Sequence, residues 1–221
     1  MGVEEMDSKE FKLKPMKCEL NFLSKSDGSA ILSQGETVAL ASVNGPIDVK
    51  MQSQSIEKSM LEVLFCTKSG KPSVGDRYKE NVIKQTCETA ILGSLYPRTA
   101  ITVTIQELED YGGLLSCSLN CVCLALLNAG VSLRYVFAAV SVALDDAGAL
   151  LLDPSGRQAD AARAHMNFVF ESRGKTLITS FTEGSFGEDT YREALERSRA
   201  ASDLIFGFYR EVVSKYGNVI G

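Results

Sequence analysis

The chain has 221 residues, 45% of them hydrophobic and 23% charged, with only 5 prolines, a balance that buries the core of one globular domain. Its 23 lysines and arginines stand against 28 aspartates and glutamates, and the net charge of −5 excludes a protein that coats nucleic acid with its whole surface. No run nears the roughly 18 apolar residues of a spanning helix, and Met1 to Glu10 is acidic where an export signal is basic and then apolar, so a soluble, intracellular chain is expected.

Residues 1–15 are polar and without periodicity and read as a disordered acidic leader. Cys18 to Leu23, Ser29 to Leu32 and Thr37 to Val43 are short β-type runs separated by Asp27-Gly28 and Gly35-Glu36, the turn chemistry of a hairpin meander. Met60 to Cys66 is the next strand. From Asp76 to Leu92 the positions Val82, Ile83, Thr86, Cys87, Ile91 and Leu92 keep helical spacing, ended by Gly93 and Pro97. Thr99 to Leu108 alternates, with Ile101, Val103 and Ile105 on one face of a half-buried strand.

After Gly112-Gly113, the run Leu114 to Asn128 is apolar on nearly every side, which predicts a helix buried between layers and ended by Gly130. A second set of strands follows at Val136 to Leu144, Leu150 to Leu152, Met166 to Phe170 and Thr176 to Phe181, with a helix-like run at Gln158 to Ala164. A last helix spans Asp189 to Lys215. Its stripe of Leu204, Ile205, Phe208, Tyr209, Val212 and Val213 is expected to pack on the second sheet. This order predicts a single α+β domain of layered sheets and helices over residues 16–216, followed by a short tail, 217–221.

Chemistry-bearing residues are sparse. The six cysteines, at 18, 66, 87, 117, 121 and 123, mostly sit in apolar runs without CxxC spacing and read as reduced thiols. Between Lys68 and Lys84 the cations Lys68, Lys71, Arg77, Lys79 and Lys84 meet only Asp76 and Glu80, either an edge offered to a polyanion or an ordinary solvated face. Gly112 and Gly113, before the buried helix, leave backbone N–H groups that either hold a phosphate or close a tight turn; Leu114 and Leu115 add no donor. Asp153 and Asp160 are the nearest carboxylates, readable as ligands of a hard cation or as a turn residue and a solvent-facing residue. His165 is the sole histidine and has no partner for a metal site or a catalytic triad. No catalytic constellation is complete, and no metal or cofactor is expected.

Several collinear motifs carry a resemblance: Ser26-Asp27-Gly28-Ser29-Ala30, Gln34-Gly35-Glu36-Thr37, Gly45-Pro46, Tyr96-Pro97-Arg98-Thr99, Asp110 to Ser116, Ala129-Gly130-Val131 and Leu151-Leu152-Asp153-Pro154. Together they resemble the RNase PH family, in particular its members in the ring of the eukaryotic RNA exosome, over nearly all of residues 16–216. The resemblance implies a fold like the second domain of ribosomal protein S5 and a ring of six such domains around an RNA channel. Active members phosphorolyse RNA from its 3′ end; a Gly-Thr-Arg type turn holds phosphate, and two aspartates support the leaving group and a divalent metal. Here the Thr-Arg falls on Leu114 and Leu115, beside Gly112, Gly113 and Ser116, and the aspartates fall on Ala159 and His165. Asp160, one place away, is the residual catalytic candidate.

The resemblance thus implies a ring subunit without turnover of its own, with other RNase PH-type subunits, cap subunits and single-stranded RNA as partners, no membrane, and a homodimer as a possible free state. Arg77, Lys79, Lys84 and Arg98 are the expected RNA contacts. It also implies nucleus and nucleolus, with cytoplasm. The alternative is a self-associating nuclease acting outside the ring on RNA or DNA, and the blandest is an assembly module without nucleic-acid contact.

Overall fold

In a computed structural model, which describes residues 13–48, 56–71 and 73–217, nine strands and four α-helices form two sheets around one continuous core. The first sheet comprises β1 (Met16–Leu20), β2 (Gly28–Gln34), β3 (Thr37–Asp48), β4 (Met60–Cys66) and β5 (Thr99–Glu109), in the order β1-β2-β3-β5-β4. Its pairs are antiparallel except β4 and β5, which run parallel. A parallel pair needs a crossover, and α1 (Val74–Ala90) supplies it. Ser73 and Asp76 cap α1 reciprocally: the Ser73 N–H donates to the Asp76 carboxylate at 2.8 Å and the Asp76 N–H to Ser73 Oγ at 3.3 Å.

The second sheet, antiparallel throughout, contains β6 (Phe137–Leu144), β7 (Leu150–Leu152), β8 (Ala164–Glu171) and β9 (Leu177–Gly184), in the order β7-β6-β8-β9. Between the sheets lies α2 (Leu114–Asn128), packed on β2 and β3 on one side and β6 on the other. That position explains why it is apolar all round: residues 114–126 are all buried, so no face needs to be polar. The short α3 (Gly156–Asp160) and the long α4 (Glu188–Gly217) complete the fold, and α4 covers β6 and β8.

The predicted strands and helices are present, with ends shifted by a few residues. The run expected to be helical to Ala164 stops at Asp160, because Ala164 already pairs with Leu144 and Gly184 in the sheet. On α4, Ile205, Tyr209 and Val212 are buried as expected, but Leu204 and Val213 are about half exposed. The buried line continues back through Ala194, Ser198, Ala201 and Ser202, small residues that let a helix approach a sheet closely. Residues 1–12 of the expected leader and 218–221 of the expected tail lie outside the described residues. Residues 13–15 are not loose: the Lys14 N–H donates to Asp153 Oδ2 at 3.0 Å, Lys14 Nζ donates to the Pro154 carbonyl at 2.7 Å, and Gly35 donates to the Pro15 carbonyl.

Candidate functional site

The turn between β5 and α2 is built by exclusion. Gly112 and Gly113 both have positive φ, 93° and 72°, and a Cβ on Gly112 would come within 2.7 Å of the Pro154 carbonyl. Only glycine permits this approach, which brings the loop leading into α3 onto the turn. Thr37, fully buried at the start of β3, pins the turn from the other side: its Oγ1 donates to the Gly112 carbonyl at 2.8 Å and accepts from the Tyr111 N–H at 3.0 Å. Gly113 caps α2 without a side-chain hydrogen bond, and Gly113, Leu114 and Leu115 line the cleft beside it.

That cleft, of about 590 Å³, lies between the turn, the first turns of α1, α3 and the inner face of the second sheet. Gly112, Gly113, Leu114, Leu115, Ala159, Asp160, His165 and Lys79 all line it. Residues separated by fifty positions in sequence therefore meet, and the leucines, the alanine and the histidine occupy one site. Leu114 and Leu115 are 4% and 7% exposed, closing the start of α2 with hydrocarbon. Ser116 is fully buried and its Oγ donates to the Gly113 carbonyl at 2.8 Å, so it braces the turn rather than facing the cleft. Asp153 is buried too, against the Lys14 segment, and its Oδ1 lies 3.4 Å from where a Cβ on Gly113 would sit.

The basic residues separate. Lys79 faces the cleft, but Arg77, two positions earlier and so about 200° around the helix, lines a different hollow with Leu64, Cys66 and Glu80. Lys84, seven residues on from Arg77, shares that side of α1. Arg98 precedes β5 at the end where Ala100 pairs Met60, whereas α1 begins near Phe65, whose N–H donates to Glu80. The length of β4, about 20 Å, divides them. Arg77 and Lys79 thus open to different hollows.

Sequence reasoning missed Tyr111, Ser141, Arg157, Asn167, Phe181 and Glu183, which also line the cleft. The signal for three of these is register: Ser141 pairs Asn167 and His165 pairs Glu183, so these side chains share the inner face. Asn167 within the apolar run Met166 to Phe170 is visible in the sequence. It is 8% exposed, and its Oδ1 has no hydrogen-bond partner.

Electrostatically the rim is acidic. Lys79 Nζ lies 3.6 Å from Asp76 Oδ1 and 5.5 Å from the centre of the Phe65 ring. Burial alone would raise the Asp76 carboxyl, but the hydrogen bonds from Ser73 and the charge of Lys79 hold it below the usual carboxylate range. The neighbouring Glu107 carboxyl is pushed up by burial and by the charge of Asp110. Among the described residues no three His, Cys, Asp or Glu side chains converge as a metal set.

Comparison with known proteins agrees with this architecture. The models of domains 1 and 2 of the 3′ exoribonuclease family, RNase PH, match residues 12–132 and 135–201. Their junction follows α2, so the expected single unit is two family domains whose sheets share that helix and one core. An Arabidopsis thaliana relative, exosome complex exonuclease RRP46 homolog, is 31% identical over 90% of either chain. The Caenorhabditis elegans exosome complex component RRP46 homolog is 30% identical over 92% of this chain and 95% of its own. A crystal structure of rice (Oryza sativa) Rrp46 superposes with a TM-score of 0.88 at 30% identity, covering 93% of this chain and 97% of that one. The chain belongs to the RNase PH family of 3′ exoribonucleases.

Proposed function

We propose that this chain is a non-catalytic structural and RNA-guiding subunit of an exosome ring, taking part in 3′-to-5′ RNA processing and degradation, including rRNA maturation and mRNA turnover. The observation that carries the reading is the pair Leu114 and Leu115 at the start of α2, where active family members hold phosphate with Thr-Arg. Leucine cannot neutralise a phosphate dianion, and the backbone amides of the helix start supply only partial charge. Ala159 and His165 stand where the paired aspartates belong, so a magnesium ion lacks its carboxylate oxygens. Phosphorolysis loses both its nucleophile's anchor and its metal.

In this reading the partners are other RNase PH-type ring subunits, the cap subunits and single-stranded RNA, and the protein works in the nucleus and nucleolus and in the cytoplasm. Arg77 and Lys84, on one side of α1, and Lys79 and Arg98 guide RNA as separate phosphate contacts, not as one patch. A second reading has one observation in its favour: Asp160 stands in the cleft, and the Arabidopsis relative carries the name exonuclease. It describes a self-associating nuclease acting outside the ring. Co-expression with RNase PH-type subunits, followed by light scattering and RNA crosslinking, tests the proposal. A ring that incorporates this chain, with crosslinks weakened by reversing Arg77 and Lys84, supports it; a chain that stays a homodimer beside its partners favours the nuclease.

A further inference from the structure

A second hollow lies at the other end of α2. About 450 Å³ in volume, it opens between the end of α2, the start of β6 and the last turns of α4, and its wall is apolar, built from Leu127, Val136, Phe206, Tyr209 and Val213. Leu127 stands about 20 Å along α2 from Leu114, which lines the cleft, so the two sites are separate. The helix that forms one wall is docked by other contacts: the Tyr209 hydroxyl donates to Asn120 Oδ1 at 2.9 Å, and the Tyr216 hydroxyl accepts the Leu20 N–H at 3.0 Å. Val213 is not needed for that docking and stays 46% exposed.

The charge on this wall is positive. On a chain of net charge −5, Arg210 is the only charged side chain among the described residues that line the groove, and among the described residues it has no ion-pair partner. The sequence of α4 explains why. Arg192 and Arg197 each pair at 2.6 Å with a glutamate four residues earlier, Glu188 and Glu193, whereas the positions three and four residues from Arg210 hold Phe206, Gly207, Val213 and Ser214. Phe206, Arg210 and Val213 therefore share one face of the helix. The groove does not call for donors, since the Leu126 and Leu127 carbonyls at the end of α2 already accept from Val131 and Gly130. An apolar slot with an unpaired cation at its rim complements a ligand that is apolar at one end and anionic at the other.

We infer that this groove docks a segment of a protein partner that inserts one large apolar side chain and sets an adjacent aspartate or glutamate carboxylate against Arg210. The apolar side chain lies between Leu127, Val136 and Val213. A free phosphate would meet Arg210 and leave the hydrocarbon wall in water. A long acyl chain would lie largely in solvent, because the exposed Val213 and Ser214 leave the groove open, whereas a side chain carried on a backbone fills it. The groove lies away from the cleft and adds a partner contact to a ring subunit without depending on the loss of phosphorolysis.

Amide spectra of the isotope-labelled full chain, titrated separately at matched ionic strength with the capped dipeptides Phe-Asp, Phe-Asn, Phe-Lys and Ala-Asp and with octanoate, test it. Phe-Asp is expected to shift the signals of Ser172, Phe206 and Ser214 saturably and to leave those of Gly112 to Leu115 in place. Phe-Asn is expected to bind roughly three- to fivefold more weakly, the worth of a solvent-exposed ion pair, and Phe-Lys and Ala-Asp more weakly still. Arg210→Gln, at an exposed position, should bring Phe-Asp down to the affinity of Phe-Asn, and Val213→Asp, which places a charge in the slot, should abolish the shifts by both while the remaining signals stay in place. Equal binding of Phe-Asp and Phe-Lys would overturn the inference, as would an unchanged Phe-Asp affinity in Arg210→Gln, tighter binding of octanoate than of Phe-Asp, or no saturable shift at the groove with any probe.

Discussion

The side chain of Asn120 bonds both backbone groups of Ala139: its Nδ2 donates to the Ala139 carbonyl at 3.0 Å, and its Oδ1 accepts from the Ala139 N–H at 2.8 Å. β7 pairs only with Val142 to Leu144, so along Ala139 this edge of β6 has no neighbouring strand, and a helix side chain takes its place. Tyr209 completes the set by donating its hydroxyl to Asn120 Oδ1 at 2.9 Å, which joins α2, β6 and α4 in one buried network. Asn120→Leu leaves two buried backbone groups unpaired and is expected to cost about 3 kcal/mol, Tyr209→Phe about 1 kcal/mol, read from urea midpoints at unchanged slope.

The Lys14 segment ties the start of the chain to the second sheet. Lys14 Nζ lies 3.7 Å from the buried Asp153 carboxylate as well as bonding the Pro154 carbonyl. Lys14→Met is expected to destabilise by about 2 kcal/mol, since the carboxylate keeps its backbone donor but loses its counter-charge. Because the same loop rests on Gly112, the variant should also broaden the amide signals of the turn. A variant whose stability and spectrum match the parent would show that the clasp is incidental.

Four of the six thiols are buried, and Cys18 and Cys66 are partly exposed. Burial pushes Cys117 and Cys123 up to about 12, and Cys18 likewise to about 12 with the help of the Glu19 charge; burial also raises the Cys87 and Cys121 thiols. Such thiols remain protonated and poorly nucleophilic at pH 8. Cys66, partly exposed at the end of β4, should therefore react with a thiol reagent first, Cys18, also partly exposed but with its thiol pushed up, more slowly, and the four buried thiols only at the rate of unfolding. Cys66→Ser should remove the fast phase alone.

Asp76 gives stability a pH dependence of defined sign. Its carboxyl is lowered in the folded protein, so its contribution is present above the unfolded value of about 3.9 and is lost as pH falls through the lower folded value. Glu107 acts oppositely: its carboxyl is raised, so protonating it as pH falls toward the unfolded value relieves a penalty. Asp76→Asn should flatten the acid limb of the stability profile, and Ser73→Ala should cost about 1 kcal/mol through the lost helix cap. Glu107→Gln should remove the opposing term and steepen the net acid loss.

Much of the fold is legible in the sequence because local chemistry dictates it. Met60 to Cys66 and Leu114 to Asn128 are strand and helix at their expected ends, the first through alternation before a glycine-containing loop, the second between Gly113 and Gly130. Part of the cleft is legible too, since the Gly112-Gly113 turn with Leu114 and Leu115 lies in a recognisable motif. What the sequence hides is long-range. Glu183 reaches the cleft only through the β8 and β9 register, and Lys14 reaches Asp153 across most of the chain. The basic residues look clustered when read along α1, but helical rotation turns Arg77 away from Lys79.

The most direct test of the central claim is incubation of the pure chain with 5′-labelled single-stranded RNA and magnesium, with and without inorganic phosphate, beside Asp160→Asn. Full-length RNA is expected in every lane. Phosphate-dependent shortening that Asp160→Asn abolishes would contradict it and make Asp160 the catalytic carboxylate.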